Sequence, residues 1–318
     1  MAHVWRVDPL QPDPRWLEAA AQLLRQGKLV VFPTETVYGL GANAWDETAV
    51  QRIFAVKGRP ATNPLIVHIA SREQVTEVVV DWPAVAARLA QRFWPGPLTL
   101  VLPKHARIPP VVTAGGPTVA VRCPAHPVAQ ALLQQAGVPV AAPSANRSTE
   151  ISPTRAEHVL PSLGQLVDAI IDAGPCPGGV ESTVVDLTVD PPRLLRPGLI
   201  TVPMLEEVIG PIGIETSVPA LSTPTRSPGL LPRHYAPRTP LRLVSLEQLA
   251  AEQQRLTAEG YRCGILQLPD DPQRAAALLY AQLHQLDAAG YDLLLAPWPP
   301  DTWDWHAIRD RLRRAAHD

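Results

Sequence analysis

The chain has 318 residues, of which 46% are hydrophobic and 18% charged, a balance that supports a sizeable core and excludes disordered and collagen-like proteins. Its 28 lysines and arginines against 30 aspartates and glutamates give a net charge of -2, so no overall positive field attracts nucleic acid. The three cysteines lie far apart without a CxxC pair, which argues against a disulfide framework or a zinc site and fits a reducing, cytoplasmic compartment.

The sequence gives no signal for a membrane partner. No apolar run reaches the roughly 18 residues that a membrane-spanning helix needs. Residues 1–16 lack the apolar centre of a signal peptide. We therefore expect a cytoplasmic protein.

Residues 1–210 alternate between short apolar runs and amphipathic stretches, separated by many of the chain's 37 prolines. The first helix begins after Asp13, with Pro14 at its first position, and ends at Gly27. Further helices are predicted at 46–56, 83–93, 126–136 and 153–159. Buried strands are predicted at 29–33, 64–69, 98–102, 119–123, 138–142, 169–174 and 182–187. This alternation predicts an α/β (α+β) domain in which helices pack against one twisted mixed sheet.

A proline-rich connector and a second domain follow. Residues 211–240 contain seven prolines without helical periodicity, which predicts a stiff, extended linker. Residues 241–318 alternate again, with strands predicted at 241–244, 263–268 and 291–296 and helices at 246–258, 272–288 and 303–316. Three strand–helix units predict a small, Rossmann-like parallel sheet, and the lack of GxGxxG argues against a dinucleotide site. The basic end of the last helix, RDRLRRAAH (309–317), is interpreted as compensating the helix dipole.

Common catalytic signatures are missing, and polar residues at strand ends stand out instead. GxxxxGK[ST], GxSxG and HExxH do not occur, which argues against a P-loop, a nucleophile elbow and a zinc-protease helix. The segment PTETVYGLG (33–41) places hydroxyls and an acid after a predicted strand, followed by two glycines that permit an unusual backbone path. It is interpreted either as a capped turn or as a substrate contact.

Cations occur at two further places. Lys57 and Arg59 flank a glycine where a helix is predicted to end, and two interpretations fit equally, compensation of the helix dipole or a clamp on a polyphosphate. Thr118 and Arg122 lie on the same side of a predicted strand, and Arg122 has no acidic residue close to it in sequence. A buried arginine needs an anionic partner. The sequence leaves open whether this is a structural carboxylate or the carboxylate of a substrate.

Small hydroxyl residues and glycines recur where other predicted strands begin or end. PSAN (143–146) follows strand 138–142, and GGVEST (178–183) opens strand 182–187. Such residues let main-chain N–H groups approach phosphate oxygens, although Ser-Ala-Asn is also typical of a simple turn. His68, alone in an apolar strand, favours a core histidine. Together the segments predict a polar, cationic pocket that orients an anionic nucleotide without a nucleophile–base pair.

Six segments in a fixed order, PTETVYGLG, KGRPxxNPLIVHI, FWPGPLTLVL, VAVRCP, PSAN and GVESTVVD, resemble the YrdC-type L-threonylcarbamoyladenylate synthases over about residues 15–210. SPGLLPRHYAP (227–237) and the small α/β domain resemble the long form of that family, whose linker returns to cover the active site. The resemblance implies an enzyme that joins L-threonine, bicarbonate and ATP into threonylcarbamoyl-AMP and releases pyrophosphate. It further implies that the product passes to a tRNA threonylcarbamoyl-transferase complex, for t6A at position 37 of tRNAs that read codons beginning with A.

The resemblance also implies roles for individual positions. Those matching the L-threonine pocket are Thr36, His68, Arg122, Ala142 and Ser182. Those matching ATP contacts are Lys57, Arg59, Asn63, Thr118, Ser144, Asn146, Ser152 and Arg196, together with His234 and Tyr235 of the linker that closes over the nucleotide. Lys57, Arg59, Ser144 and Ser182 are expected to carry the catalysis. Leu230 and Leu231 stand where the family linker commonly has methionine and lysine.

The implied reaction needs no covalent enzyme intermediate, because the amine of threonine attacks a bicarbonate-derived carbon and the resulting carbamate attacks the α-phosphate. Catalysis would consist of bringing the reactants together and neutralising phosphate charge with Lys57, Arg59, Arg196 and Mg²⁺. The sequence shows no carboxylate cluster, so Mg²⁺ is expected to be carried largely by ATP.

Two other functions fit parts of the sequence. Related domains have a concave basic surface proposed to bind double-stranded RNA, so a non-catalytic RNA-binding module is one alternative. The net charge of -2 argues mildly against it. A carbamoyl-transfer domain of hydrogenase maturation is the other, but its accompanying acylphosphatase and zinc-finger patterns are missing from this sequence.

Overall fold

The structure is a computed structural model that describes residues 2–214 and 233–316. Its larger part contains eleven strands, β1 (His3–Arg6), β2 (Val30–Phe32), β3 (Gly39–Asn43), β4 (Ile66–His68), β5 (Leu98–Pro103), β6 (Thr118–Arg122), β7 (Val140–Ala141), β8 (Ala169–Asp172), β9 (Thr183–Asp186), β10 (Arg193–Arg196) and β11 (Gly213–Ile214). They form one mixed sheet in the order β1-β8-β2-β3-β7-β4-β6-β5-β9-β10-β11. The predicted twisted mixed sheet is therefore confirmed.

Helices cover both faces of this sheet. They are α1 (Pro14–Arg25), α2 (Glu47–Lys57), α3 (Ala84–Phe93), α4 (Pro127–Ala136), α5 (Ala156–Leu163) and α6 (Val202–Ile209). Because successive side chains of a strand point to opposite faces, Val30 and Phe32 pack with α1 and α4, while Val31 belongs to the larger cluster on the other face. Residues 2–214 thus have a core on each side of the sheet.

The predicted elements of this part are all present. The ends of the seven predicted strands shift by at most two residues, and Asp13 caps α1 by accepting a hydrogen bond from the Arg15 main chain. β1, β3, β10, β11 and α6 are additional elements that the sequence did not predict.

The two glycines of PTETVYGLG were expected to permit an unusual backbone path, and this was wrong. They lie in β3, which pairs antiparallel with β2 and β7. A Cβ at Gly41 would come within 2.8 Å of the Phe32 ring and 2.9 Å of Val140, so close packing excludes a side chain there. The glycines therefore let two strands and their side chains come together.

The smaller part is the predicted parallel sheet. Its strands are β12 (Leu241–Val244), β13 (Cys263–Ile265) and β14 (Leu293–Pro297), and its helices are α7 (Leu249–Ala258), α8 (Pro272–Ala288) and α9 (His306–Ala315). β14 lies between the other two strands and pairs parallel with both. Among the described residues, no helix is long and apolar enough to cross a membrane.

One apolar cluster joins the two parts. Val37, Ile151 and Val180 of the larger part pack with Tyr235 and with buried residues of α8 and α9. The sheet of the larger part continues to Ile214, because β11 pairs with β10. Of the predicted linker 211–240, residues 215–232, with Leu230 and Leu231, lie outside the described residues.

Candidate active site

Several of the predicted polar residues meet at one place between the two parts of the chain. A small cavity of about 40 Å³ lies there. Its lining residues are Val37, Arg59, Ile66, Arg122, Ala142, Pro143, Ser144, Glu181, Arg196, His234 and Tyr235. Seven of them were predicted as site residues, and they come from both predicted ligand pockets and from the linker.

Arg59 and Asn63 form one side of the site, as the sequence grouped them. Arg59 donates from Nε to the Asn63 carbonyl (2.9 Å) and from Nη2 to Asn63 Oδ1 (2.6 Å) and the Pro64 carbonyl (2.7 Å). Burial, together with the positive charge of Arg196, lowers the pKa of Arg59 to about 9. Its guanidinium is thereby fixed on the wall of the cavity.

Lys57 lies in the last turn of α2, which fits compensation of the helix dipole, one of the two interpretations that the sequence left open. Its side chain is buried at the end of α2, where Nζ donates to the carbonyls of Ser144 (2.6 Å) and Asn146. Burial, with Arg59 nearby, lowers its pKa well below the ordinary lysine value. Lys57 therefore holds the segment that carries Ser144, and a direct contact with phosphate stays a prediction.

Arg122 has an acidic partner, the structural carboxylate that was one of the two alternatives left open by the sequence. Its Nη2 lies 2.8 Å from Glu35 Oε1, and both side chains are largely buried. Neither group otherwise finds an aligned hydrogen-bond partner among the described residues. The pair is therefore a charge contact whose hydrogen-bonding capacity is left for another group.

His68 lies beside Arg122, because β4 and β6 pair in parallel with these two residues opposite each other. Its ring meets the edge of Phe32 at 6.1 Å. Burial, reinforced by the positive charge of Arg122, lowers the pKa of His68 to about 3. The imidazole is therefore neutral at pH 7. Thr36 is buried close in sequence to Glu35 and shares a hydrogen bond with the Thr34 hydroxyl (2.8 Å).

Ser182 is held by two partners where β9 begins. Its hydroxyl lies 2.7 Å from Thr99 Oγ1 and accepts from Arg196 Nη2 at 3.1 Å. Arg196 Nε also donates to the Ser182 carbonyl (3.0 Å). Burial lowers the pKa of Arg196. Ser182 itself is fully buried, so the guanidinium of Arg196 reaches the cavity and the hydroxyl lies behind it.

Three other predicted positions, Thr118, Asn146 and Ser152, are not among the residues that line the cavity. Thr118 begins β6 at the end opposite Arg122. Asn146 donates to the carbonyls of Arg147 (2.8 Å) and Glu150 (2.9 Å), which leaves its buried Oδ1 without a partner among the described residues. Ser152 donates to the carboxylate of Glu181 at 2.5 Å.

His234 and Tyr235, at the described end of the linker, line the cavity as its cover, and their closure over a nucleotide stays a prediction. Their rings are in contact, with centroids 3.9 Å apart. Tyr235 has a φ of 59°, in the left-handed region that a bulky residue rarely adopts without a compensating constraint. The main chain is tied on both sides, since His234 N donates to the Arg314 carbonyl (3.2 Å) and Ala236 N to the Thr149 carbonyl (2.9 Å).

Comparisons with known proteins identify the family of this chain. The Sua5–YciO–YrdC family model, described as "Telomere recombination", matches residues 22–198, and a second, described as "Threonylcarbamoyl-AMP synthase, C-terminal domain", matches residues 200–317. A threonylcarbamoyl-AMP synthase of Pyrococcus abyssi is 45% identical, over 94% of this chain and 94% of its own length. The chain belongs to the threonylcarbamoyl-AMP synthase family.

A second relative and a solved structure support the assignment. The protein of Bacillus subtilis is 44% identical, over 96% of this chain and 93% of its own length. The crystal structure of P. abyssi Sua5 complexed with L-threonine superposes with a TM-score of 0.94 at 43% identity, over 98% of this chain and 97% of that one. The match covers both parts of the chain.

Four residues at the site of this family member were missed by sequence reasoning: Glu35, Glu181, Tyr280 and Arg311. Glu35 and Glu181 lie inside the quoted segments, where an acid beside hydroxyls was the available signal. Arg311 was grouped with a basic helix end that compensates a dipole, and for this residue the interpretation was wrong, since its side chain is only 1% exposed and pairs with Glu181 (2.8 Å). Tyr280 gave no signal, because its position fits the apolar stripe of α8.

Proposed function

We propose that this chain is a nucleotidyltransferase that makes threonylcarbamoyl-AMP and pyrophosphate from L-threonine, bicarbonate and ATP. The observation that carries the proposal is one cavity that is lined by three arginines, Arg59, Arg122 and Arg196, together with Tyr235. Three cations in one cavity suit two anionic substrates that must meet, the carboxylate of an amino acid and a triphosphate.

Arg122 would bind the threonine carboxylate through its guanidinium. In the structure Glu35 holds this group by charge without aligned hydrogen bonds. A substrate carboxylate that accepts two hydrogen bonds from the guanidinium would therefore bind Arg122 more strongly than Glu35 does. The displaced Glu35 carboxylate would then face the ammonium group of the same substrate, and neutral His68 would keep the positive charge beside Arg122 low.

Arg59 and Arg196 would bind the phosphates of ATP, with Ser144 and Ser152 close to them. The cationic walls fit phosphate oxygens rather than a bare metal ion, so Mg²⁺ would be held by the phosphates themselves. When bound, Mg²⁺ would neutralise part of the phosphate charge. His234 and Tyr235 would have to move for entry, because about 40 Å³ is far below the roughly 300–1,000 Å³ of ordinary ligand sites.

The proposed bond changes are those that the family's reaction implies. The deprotonated amine of threonine attacks the carbon of bicarbonate, and loss of water gives the carbamate. A carbamate oxygen then attacks the α-phosphorus, and the bond to the β-phosphate oxygen breaks to release pyrophosphate. Arg59 and Arg196 would stabilise the charge that gathers on the phosphates, and the closed cover would keep water from the carbamate and the acyl-adenylate.

The decisive experiment incubates the purified protein with ATP, L-threonine and labelled bicarbonate. We expect pyrophosphate and labelled threonylcarbamoyl-AMP in equal amounts, and neither product when threonine is omitted. Pyrophosphate that forms equally well without threonine would contradict the proposal.

The product would supply a tRNA threonylcarbamoyl-transferase complex in the cytoplasm. Cys123 and Cys176 are free and buried, as a reducing compartment allows. Direct contact with tRNA is tested by a salt titration. A steep fall of affinity with salt indicates phosphate contacts, whereas an absence of binding would mean that the intermediate alone passes to the complex.

A further inference from the structure

The carboxylate of Glu181 joins the two parts of the chain. From the larger part, Ser152 Oγ donates to Oε1 at 2.5 Å. From the smaller part, Tyr280 Oη of α8 donates to Oε2 at 3.0 Å and Arg311 Nε of α9 donates to Oε2 at 2.8 Å. A residue that precedes Ser182 in sequence is therefore held mainly by side chains of the C-terminal domain.

Arg311 is fixed on its remaining sides as well. Its Nη1 donates to Asp310 Oδ2 at 2.9 Å, and its guanidinium carbon lies 5.1 Å from the centroid of the Tyr235 ring. Asp310 is in turn bound by Arg314 (3.0 Å), whose carbonyl accepts from the His234 main chain. The end of α9 thus contacts both Glu181 and the cover of the cavity.

The ionic state of this cluster follows from its surroundings. Burial by itself raises the pKa of Glu181, but the charges of Arg311 and Arg196 and the hydrogen bonds from Ser152 and Arg311 lower it to about 2. A buried ion pair adds little net stability compared with apolar residues of the same size, yet removal of one partner leaves an unpaired buried charge. The main effect of the Glu181–Arg311 ion pair is therefore to fix the positions of the side chains around it.

We propose that Arg311 and Tyr280 are positioning residues for ATP: by fixing Glu181 they hold the Ser152 hydroxyl, and through their own contacts with the Tyr235 ring they hold this cover residue where the nucleotide binds. This inference rests on the proposed function of the site. It gives the C-terminal domain a part in substrate binding in addition to anchoring the linker.

Loss of the Arg311 contact is expected to affect ATP binding more than threonine binding. The Ser182 hydroxyl is held by Thr99 and Arg196. The Glu181 carboxylate accepts its hydrogen bonds from Ser152, Tyr280 and Arg311. The guanidinium of Arg122 forms an ion pair with Glu35. Loss of the Arg311 contact should therefore disturb Ser152 and Tyr235 and leave the expected threonine contacts in place.

The experiment compares Arg311→Met, Arg311→Lys and Tyr280→Phe with the unsubstituted full-length protein. A charged hydrogen bond typically changes affinity about 10- to 150-fold, so Arg311→Met should raise the KM for ATP by about that factor and the KM for threonine less than about 3-fold. Arg311→Lys should recover part of the loss. Tyr280→Phe, which keeps the ring packing, should give a smaller rise for ATP alone. Arg255→Met removes an exposed ion pair of α7 and serves as the control, with no change expected.

A double-substitution cycle tests whether the residues act through Glu181. Glu181→Gln combined with Arg311→Met should be no worse than the more severe single variant. Binding of a non-hydrolysable ATP analogue, measured by calorimetry, provides a second readout that needs no turnover. If the unsubstituted protein makes no threonylcarbamoyl-AMP, the proposed function fails while this binding measurement still decides the present inference. Equal losses for ATP and threonine in Tyr280→Phe and Arg311→Lys, or unchanged analogue binding in every variant, would overturn it.

Discussion

Arg122 shows how a single residue can carry both a structural and a binding role. The sequence suggested an arginine in need of an anion, and the structure supplies one in Glu35, 87 positions earlier in the chain. An ion pair inside the protein does not exclude a substrate partner, because this pair lacks aligned hydrogen bonds. The two roles can be separated by variants that remove one charge or both.

We expect Arg122→Ala to raise the threonine KM about 10- to 150-fold, with a much smaller change for ATP, because a charged hydrogen bond is lost. The variant also leaves Glu35 buried without a partner, which lowers the free energy of unfolding. The double variant Arg122→Ala/Glu35→Gln removes this unpaired charge and should regain stability without regaining threonine binding. Steady-state kinetics and urea unfolding measure the two effects. If the double variant recovered both its stability and its threonine binding, the role of Arg122 would be purely structural.

His68 determines a second property at the residue scale, the dependence of stability on pH. Its pKa is lowered to about 3, whereas an unfolded histidine titrates near 6.5, so between these values the unfolded chain binds more protons. Stability is therefore lost as the pH falls below about 6.5. From pH 7.5 to pH 5 we expect this one residue to remove about 2 kcal/mol.

The measurement is urea unfolding of the unsubstituted protein, His68→Asn and the exposed His3→Asn at both pH values. His68→Asn should lose stability with falling pH less steeply, by about 2 kcal/mol, and His3→Asn should follow the unsubstituted protein. Equal slopes for all three proteins would contradict a buried, neutral His68.

At the scale of elements, local signals explain which predictions succeeded. α8 was predicted at 272–288 and observed as Pro272–Ala288, because Asp271 caps it and proline occupies its first position. β10 was missed because only two apolar residues lie between its arginines. β3 was missed because its glycines are required by neighbours from distant parts of the sequence, which no local pattern contains.

The contact between α8 and the glycines before Glu181 allows a prediction at this scale. Gly179 has a φ of 72°, and a Cβ there would lie 2.1 Å from the Ala276 carbonyl oxygen of α8. Gly174 has a φ of 80° with open space around it. Both alanine variants share the cost of the left-handed backbone, but only Gly179→Ala must also push α8 away.

We therefore expect Gly179→Ala to lower the free energy of unfolding by about 1–3 kcal/mol more than Gly174→Ala. It should also lose threonylcarbamoyl-AMP synthesis, because α8 carries Tyr280 to Glu181. Chemical unfolding and product formation measure this pair of variants. Similar stability and activity in the two would mean that the domains tolerate a larger separation at this point.

At the scale of the whole molecule, the site depends on contacts that span most of the chain. Resemblance to a family predicted seven of the eleven residues that line the cavity, since the quoted segments are local. It did not predict that Arg311 would reach Glu181, 130 positions away, because nothing near either residue indicates the other. The partners of a buried charge depend on how the two domains pack, and that packing is a property of the folded chain.

A chain that ends at Val218 tests the dependence of the larger part on the smaller one. We expect it to stay folded, because residues 2–214 have core clusters of their own on both faces of the sheet. It should lose most of its synthase activity or release an intermediate that hydrolyses, since Val37, Ile151 and Val180 lose their apolar partners and the cover with His234 and Tyr235 is gone. Circular dichroism and thermal unfolding check the fold, and product formation checks the activity.

In the full chain, ATP with threonine should slow protease cleavage within 220–238, because a docked segment is less accessible. A truncated chain that makes threonylcarbamoyl-AMP as fast as the full chain, together with no protection by substrates, would show that residues 211–240 only connect the two domains.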